Sequence, residues 1–143
     1  MSAEQPGHLH VVAWIFIAIA DPFGKTAYAS PLSMLLAVAD AYNHAIPTAK
    51  EVEHGIRDLS SAGLISVDGL SFRLTTRGQV LWTEISGKPS MRQRFERARR
   101  ALRDTGCVAH ASGWSLDQHV WEDALGAYSS QYALELKRRR NQS

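Results

Sequence analysis

Cys107, His110, His119 and Asp123 are the side chains whose types suit metal ligation or a nucleophile paired with a base. Either chemistry needs its groups held at fixed spacing, within ligand or hydrogen-bond reach of one another. His119 and Asp123, four apart, would share one face of a helix, but Cys107 falls in a stretch from Thr105 to Gly113 that reads as loop, so nothing fixes the geometry. Phe23-Gly24-Lys25-Thr26 has the ending of a phosphate-binding loop. The glycine that such a loop requires five places before Gly24 is Ile19 here, and an apolar helix pattern precedes it where a strand should stand. His8 and His10 lie near the start of the chain, where solvated side chains are expected, and His44 sits beside a helix break as a turn or capping group. Cys107 is the only cysteine, which excludes an intrachain disulfide and a zinc site built from several thiolates. Trp14, Trp82, Trp114 and Trp121 are expected to fill the core or an interface. Together these readings predict no enzyme, no metal and no cofactor.

Basic side chains form the other constellation. Arg92, Arg94, Arg97, Arg99, Arg100 and Arg103 stand against the single Glu96, a charge of +5 over twelve positions, and Lys137-Arg138-Arg139-Arg140 adds a basic tail. The net charge of +2 hides an asymmetry. Residues 1–88 hold six Lys or Arg against eight Asp or Glu, whereas residues 89–143 hold ten against six. Such clusters suit phosphates, an acidic partner or an anionic membrane surface; they equally suit a solvated face whose arginine stems cover apolar groups.

The elements that must position these groups can be read from periodicity and punctuation. At 143 residues, 45% hydrophobic and 21% charged, the composition is that of an ordinary globular domain rather than a disordered segment. A first helix is expected from about Leu9 to Ala20, around Val12, Trp14, Ile15, Phe16 and Ile19. Its apolar run, Val11 to Ala20, has no basic residue before it and is too short to span a bilayer, so a buried helix in a cytoplasmic protein is expected rather than a signal or membrane segment. Ser30 then Pro31 predicts the cap and first position of a second helix with Leu32, Leu35, Leu36 and Ala39 inside.

Thr48 with Glu51 is a capping box that starts a third helix buried through Val52, Ile56 and Leu59, and Gly63 suits its left-handed stop. Asp68-Gly69 predicts a two-residue hairpin turn, with Leu70, Phe72 and Leu74 alternating inward. Thr75 or Thr76 can cap a helix carrying Val80, Leu81 and Ile85; Gly78 counts mildly against it, since glycine costs about 1 kcal/mol relative to Ala in a helix. Ser86-Gly87-Lys88-Pro89 is the linker candidate. It divides a domain at 1–88 from a basic helical extension at 89–143. In the extension Met91, Phe95, Ala98 and Leu102 stripe the arginine helix. Ser115, with Gln118, caps a last helix bearing Val120, Trp121, Leu125, Tyr128, Tyr132 and Leu136, a surface broad enough to predict a homodimer.

The fold class is therefore mainly α with a small β-hairpin. Ile56-Arg57-Asp58-Leu59 followed by Ala62-Gly63-Leu64-Ile65, the Asp68-Gly69 tip, and Phe72-Arg73-Leu74-Thr75-Thr76-Arg77-Gly78 resemble the corresponding run of bacterial winged-helix regulators of the MarR and PadR kind. The resemblance covers about half the chain. Asn43-His44-Ala45-Ile46-Pro47-Thr48 is similar to a block in small uncharacterised bacterial proteins, from which no activity follows. The winged-helix resemblance implies a winged helix-turn-helix with a C-terminal helical extension, acting in transcription regulation on double-stranded DNA. In that arrangement Lys50, His54, Arg57 and Ser61 would face the major groove, Arg73 and Arg77 would serve the wing, and Arg97 and Arg100 would add phosphate contacts from downstream. Glu51, Glu53 and Asp58 outnumber Lys50 and Arg57 on the same helix, which opposes phosphate binding. The alternative is a nonenzymatic module that uses the winged-helix scaffold to hold a protein partner. A membrane partner is not expected.

Overall fold

The computed structural model describes residues 6–20, 30–43, 45–104 and 114–127. Helix α1 (Pro6–Ala20) is apolar on every side from Val11 onward, and such a helix has to be enclosed. From Val12 to Ala20 no residue is more than 5% exposed. The helix begins at Pro6, earlier than Leu9, because a proline at the first helical position gives up an N–H that has no intrahelical partner anyway.

Three helices enclose α1: α2 (Leu32–Asn43), α3 (Ala49–Ser61) and α5 (Met91–Asp104). Leu32, Leu35, Leu36 and Ala39 of α2 face it, and the Trp14 indole Nε1 donates to the Ala39 carbonyl at 2.9 Å, so the one polar atom of that ring is satisfied inside the core. Helix α3 approaches closely through Gly55. A Cβ there would stand 2.8 Å from Ile15 Cγ1. The capping box of α3 forms as expected: the Glu51 amide donates to Thr48 Oγ1 at 3.1 Å, and the Thr48 amide donates to Glu51 Oε1 at 2.8 Å. Gly63, at φ +76°, turns the chain out of the helix.

The sheet is small and antiparallel, in the order β1 (Ser30–Pro31), β3 (Ser71–Leu74), β2 (Ile65–Asp68). Ser30-Pro31 is thus a two-residue edge strand rather than a helix start; Pro31 has no N–H to donate, which an edge tolerates, and the Leu32 amide donates to the Leu70 carbonyl at 2.9 Å. Asp68 pairs with Ser71, so the hairpin turns on Gly69-Leu70, one residue later than Asp68-Gly69. Gly69 takes the first loop position at φ +61°. Leu70 is consequently a loop residue, 41% exposed, while Phe72 and Leu74 point inward.

Helix α4 (Thr76–Ser86) is capped by Thr75, whose hydroxyl accepts from the Gly78 amide at 3.1 Å and donates to the Gly63 carbonyl at 2.7 Å. The Thr75 amide donates to the Leu64 carbonyl. This junction brings Gly78 so close to the Leu64 backbone that a Cβ would lie 2.1 Å from its carbonyl oxygen. Leu81, Trp82 and Ile85 are buried, but Val80 is exposed on the outer face. Ser90 caps α5, which packs Phe95, Ala98, Ala101 and Leu102 against α1 and α4 and leaves Met91 outside.

A further helix, α6 (118–127), is capped by Asp117 and not by Ser115: the Asp117 carboxylate accepts from the His119 amide at 2.7 Å, and its carbonyl accepts from the Trp121 amide. The physical reason lies one residue earlier, where the Leu116 amide donates to Glu53 of α3 and so is not free for a helical turn begun at Ser115. Trp121 and Ala124 join the core that encloses α1. The Phe23–Thr26 segment, His44, Cys107, His110, Tyr128, Tyr132, Leu136 and the 137–140 basic run lie outside the described residues. Among the described residues no helix is long and apolar enough to cross a membrane.

Gly78→Ala is expected to destabilise the protein by about 1–3 kcal/mol, although helix propensity alone would favour Ala by about 1 kcal/mol, because the new methyl meets backbone that cannot rotate aside. Urea unfolding of the two proteins decides it. A more stable Gly78→Ala variant would show that α4 can move off Leu64.

Candidate nucleic-acid interface

Helix α3 buries Val52, Ile56 and Leu59 at zero exposure, which turns the opposite stripe outward. Lys50, His54 and Ser61 are exposed on that stripe, spaced so that they fall on one side of the helix. Arg57 lies among them but is half-buried and engaged. Its Nε donates to the Trp114 carbonyl at 2.7 Å, and Nη2 sits 3.4 Å from Glu53 Oε1.

Expected opposition from acidic groups on α3 is redistributed by the fold. Asp58 is 1% exposed and does not belong to the outer face. Glu51 closes the capping box at the N-terminal end. Glu53 divides its oxygens between Arg57 and the Leu116 amide, the latter at 2.8 Å.

On the hairpin, Arg73 is exposed, paired across the strands with Ser66, between the inward Phe72 and Leu74. Arg77, at the start of α4, reaches the Ala62 carbonyl at the end of α3 with Nη1 at 3.3 Å. The structure therefore brings Lys50, His54, Arg57, Ser61 and Arg77 onto or beside α3, with Arg73 on the adjoining sheet. Arg97 and Arg100 belong to a separate region on α5.

Most α5 arginines have structural employment. Arg94 donates from Nε to the Lys88 carbonyl at 3.0 Å and from Nη2 to the Ser86 carbonyl at 3.2 Å, terminating α4. Arg97 pairs with Glu84 and Arg92 with Glu96. Arg99 Nη1 lies 3.3 Å from His10 Nδ1. Arg100 and Arg103 are exposed and make no ion pair among the described residues. Lys88, Gln93, Glu96, Arg97 and Arg100 line a shallow cleft of about 180 Å³.

His10 is a correction to the solvated terminus expected from its position. Its ring stacks on Phe95 at 4.8 Å, because the early start of α1 carries it onto the face of α5. A guanidinium can only donate, so the Nδ1 beside Arg99 is the acceptor of a neutral ring. Burial first, and the Arg99 charge second, hold His10 below its ordinary value near 6.5.

Trp114 is the residue whose role sequence spacing does not reveal. Its indole Nε1 donates to the Gly69 carbonyl at 3.1 Å, and its ring meets Phe72 edge-on at 5.7 Å. Residues 114–117 thus bridge the hairpin turn and α3. Fifty-seven positions separate Trp114 from Arg57, so no local pattern points to the pairing. Among the described residues no group of three or more His, Cys, Asp or Glu could hold a metal ion, and His119 and Asp123 are both exposed on α6.

In comparison with known proteins, no family model matches the chain, and no curated protein or solved structure matches it.

The depressed titration of His10 gives a stability prediction. Below the ordinary histidine value of 6.5 the unfolded chain binds a proton that the folded chain resists, so this contribution to stability is present above that value and falls as pH falls through the folded one. Denaturant unfolding between about pH 7.5 and about pH 5.5 should show wild type losing more stability than His10→Gln. Equal losses would assign the acid sensitivity elsewhere.

Proposed function

We propose that the chain is a DNA-binding transcriptional regulator of winged helix-turn-helix type, with α2 and α3 as the helix pair and β2–β3 as the wing. The observation that carries this reading is the outward stripe of Lys50, His54 and Ser61 on α3, flanked by Arg73 on the hairpin and Arg77 at the wing's return. Topology supports it: helix, strand, two helices and a hairpin in succession, with the first strand laid against the last, is the order of a winged helix. In this reading α3 enters the major groove and the hairpin lies along phosphates.

The electrostatics also favour it. Each of the three acidic residues of α3 is buried or engaged, so the face offered to a duplex is less negative than the sequence count implies. Arg57, if released from Trp114, has the planar fork that suits guanine. Arg100 and Arg103 would add phosphate contacts where Arg97, held by Glu84, adds less.

A salt titration of binding to random and genomic duplexes tests the proposal. Wild type should bind with steep salt dependence, Arg73→Ala should lower the slope by about one, and Arg97→Ala should leave it nearly unchanged. Absence of salt-dependent affinity at low ionic strength would overturn DNA binding in favour of a protein-binding module in a bacterial cytoplasm.

A further inference from the structure

We propose that residues 114–117 are a displaceable strap that closes the groove between α3 and the hairpin and competes with duplex DNA for Arg57, an inference that rests on the DNA-binding reading. Hydrogen bonds to α3 and to the hairpin turn fasten it. The Trp114 indole donates to Gly69 on the hairpin turn, the Trp114 carbonyl accepts from Arg57, and the Leu116 amide donates to Glu53. Edge contact with Phe72 seats the indole against the sheet.

Two features make the strap a separable element. It lies outside any helix or strand, is tied down through side chains of α3 and one turn carbonyl, and rests on the core through Trp114 and Leu116, which are only partly buried. Segments without regular secondary structure, whose side chains are only partly buried, open below a protein's global stability. The strap's anchors also coincide with the groups a duplex would need. Its carbonyl sits 2.7 Å from Arg57 Nε, so the guanidinium cannot present that edge to a base while the strap is seated. Opening removes an acceptor from Arg57 and leaves the fork on the same stripe as Lys50 and His54.

Apparent affinity falls in proportion to the open fraction, so a strap seated in about nine molecules of ten weakens binding about tenfold. The test measures fluorescence anisotropy of random and genomic duplexes at low ionic strength with full-length wild type, W114A, L116P, R57A and W114A/R57A. W114A and L116P carry no change in charge, so a gain cannot come from simple electrostatics.

Both strap variants are expected to bind about tenfold more tightly than wild type, and R57A is expected to cancel the gain in the W114A background while costing wild type much less. L116P removes the amide held by Glu53 together with the Leu116 side chain, and E53Q, which weakens the same anchor from α3, keeps the test valid if circular dichroism shows W114A or L116P unfolded. Salt-dependent wild-type binding that neither variant strengthens overturns the strap and leaves DNA binding standing. No binding by any variant overturns both.

Discussion

Between Val11 and Ala20 the chain has no charged or hydrogen-bonding side chain other than the Trp14 indole, and a helix with no polar face is stable in water only when neighbours cover its whole circumference. The rest of the architecture follows from that demand. Helix α2 covers one side and accepts the single indole proton; α3 covers another, drawn close by the missing side chain of Gly55; α5 closes a third with Phe95, Ala98 and Leu102. Helices α3 and α5 each need only one apolar stripe, so each turns a polar stripe outward. The exposed row on α3 is a consequence of enclosing α1, and its composition is free to serve something else.

A second constraint fixes where the hairpin stands relative to that row. Thr75 bonds backward to both Gly63 and Leu64 while capping α4, and Gly78 lets the first turn of α4 lie against the Leu64 carbonyl. The end of α3, the return of the hairpin and the start of α4 are therefore one rigid joint. Arg77 reaches α3 across this joint, and Arg73 projects from the strand leading into it. Rigid placement of a helix beside a hairpin matters more to recognition than any one of these charges, since groups that must read a partner together have to be held in register beforehand.

What sequence made legible divides by the range of the interaction. Thr48 with Glu51, Gly63 after α3, Thr75 before α4 and the buried stripe of α3 are governed by neighbours within about four residues, and all stand where spacing put them. Ser30-Pro31 has the local cap-then-proline pattern of a helix start, yet the open edge of β3 offers those residues a partner about forty positions away. Gly78 shows the reverse: a local liability in a helix becomes a requirement when a distant carbonyl occupies the space of its Cβ. His10 and Trp114 were opaque for the same reason, since Phe95, Arg99, Arg57 and Gly69 reach them only through tertiary packing.

Charge counting fails in the same manner, and its failure bears on function. Summed along α3, three acids outweigh two bases; in space, one acid is buried, one stabilises the helix terminus and one is shared between a guanidinium and a backbone amide. Summed along α5, six arginines make a basic helix; in space, four of them terminate α4, pair with carboxylates or bond to His10. A carboxylate already neutralised by a partner repels an approaching phosphate less, and a guanidinium already paired attracts it less. The two corrections work in opposite directions and are unequal in size: Arg94 and Arg99 bond to uncharged groups and keep their charge, so α5 stays the more basic helix, while α3 presents its bases on a face from which Asp58 is withdrawn.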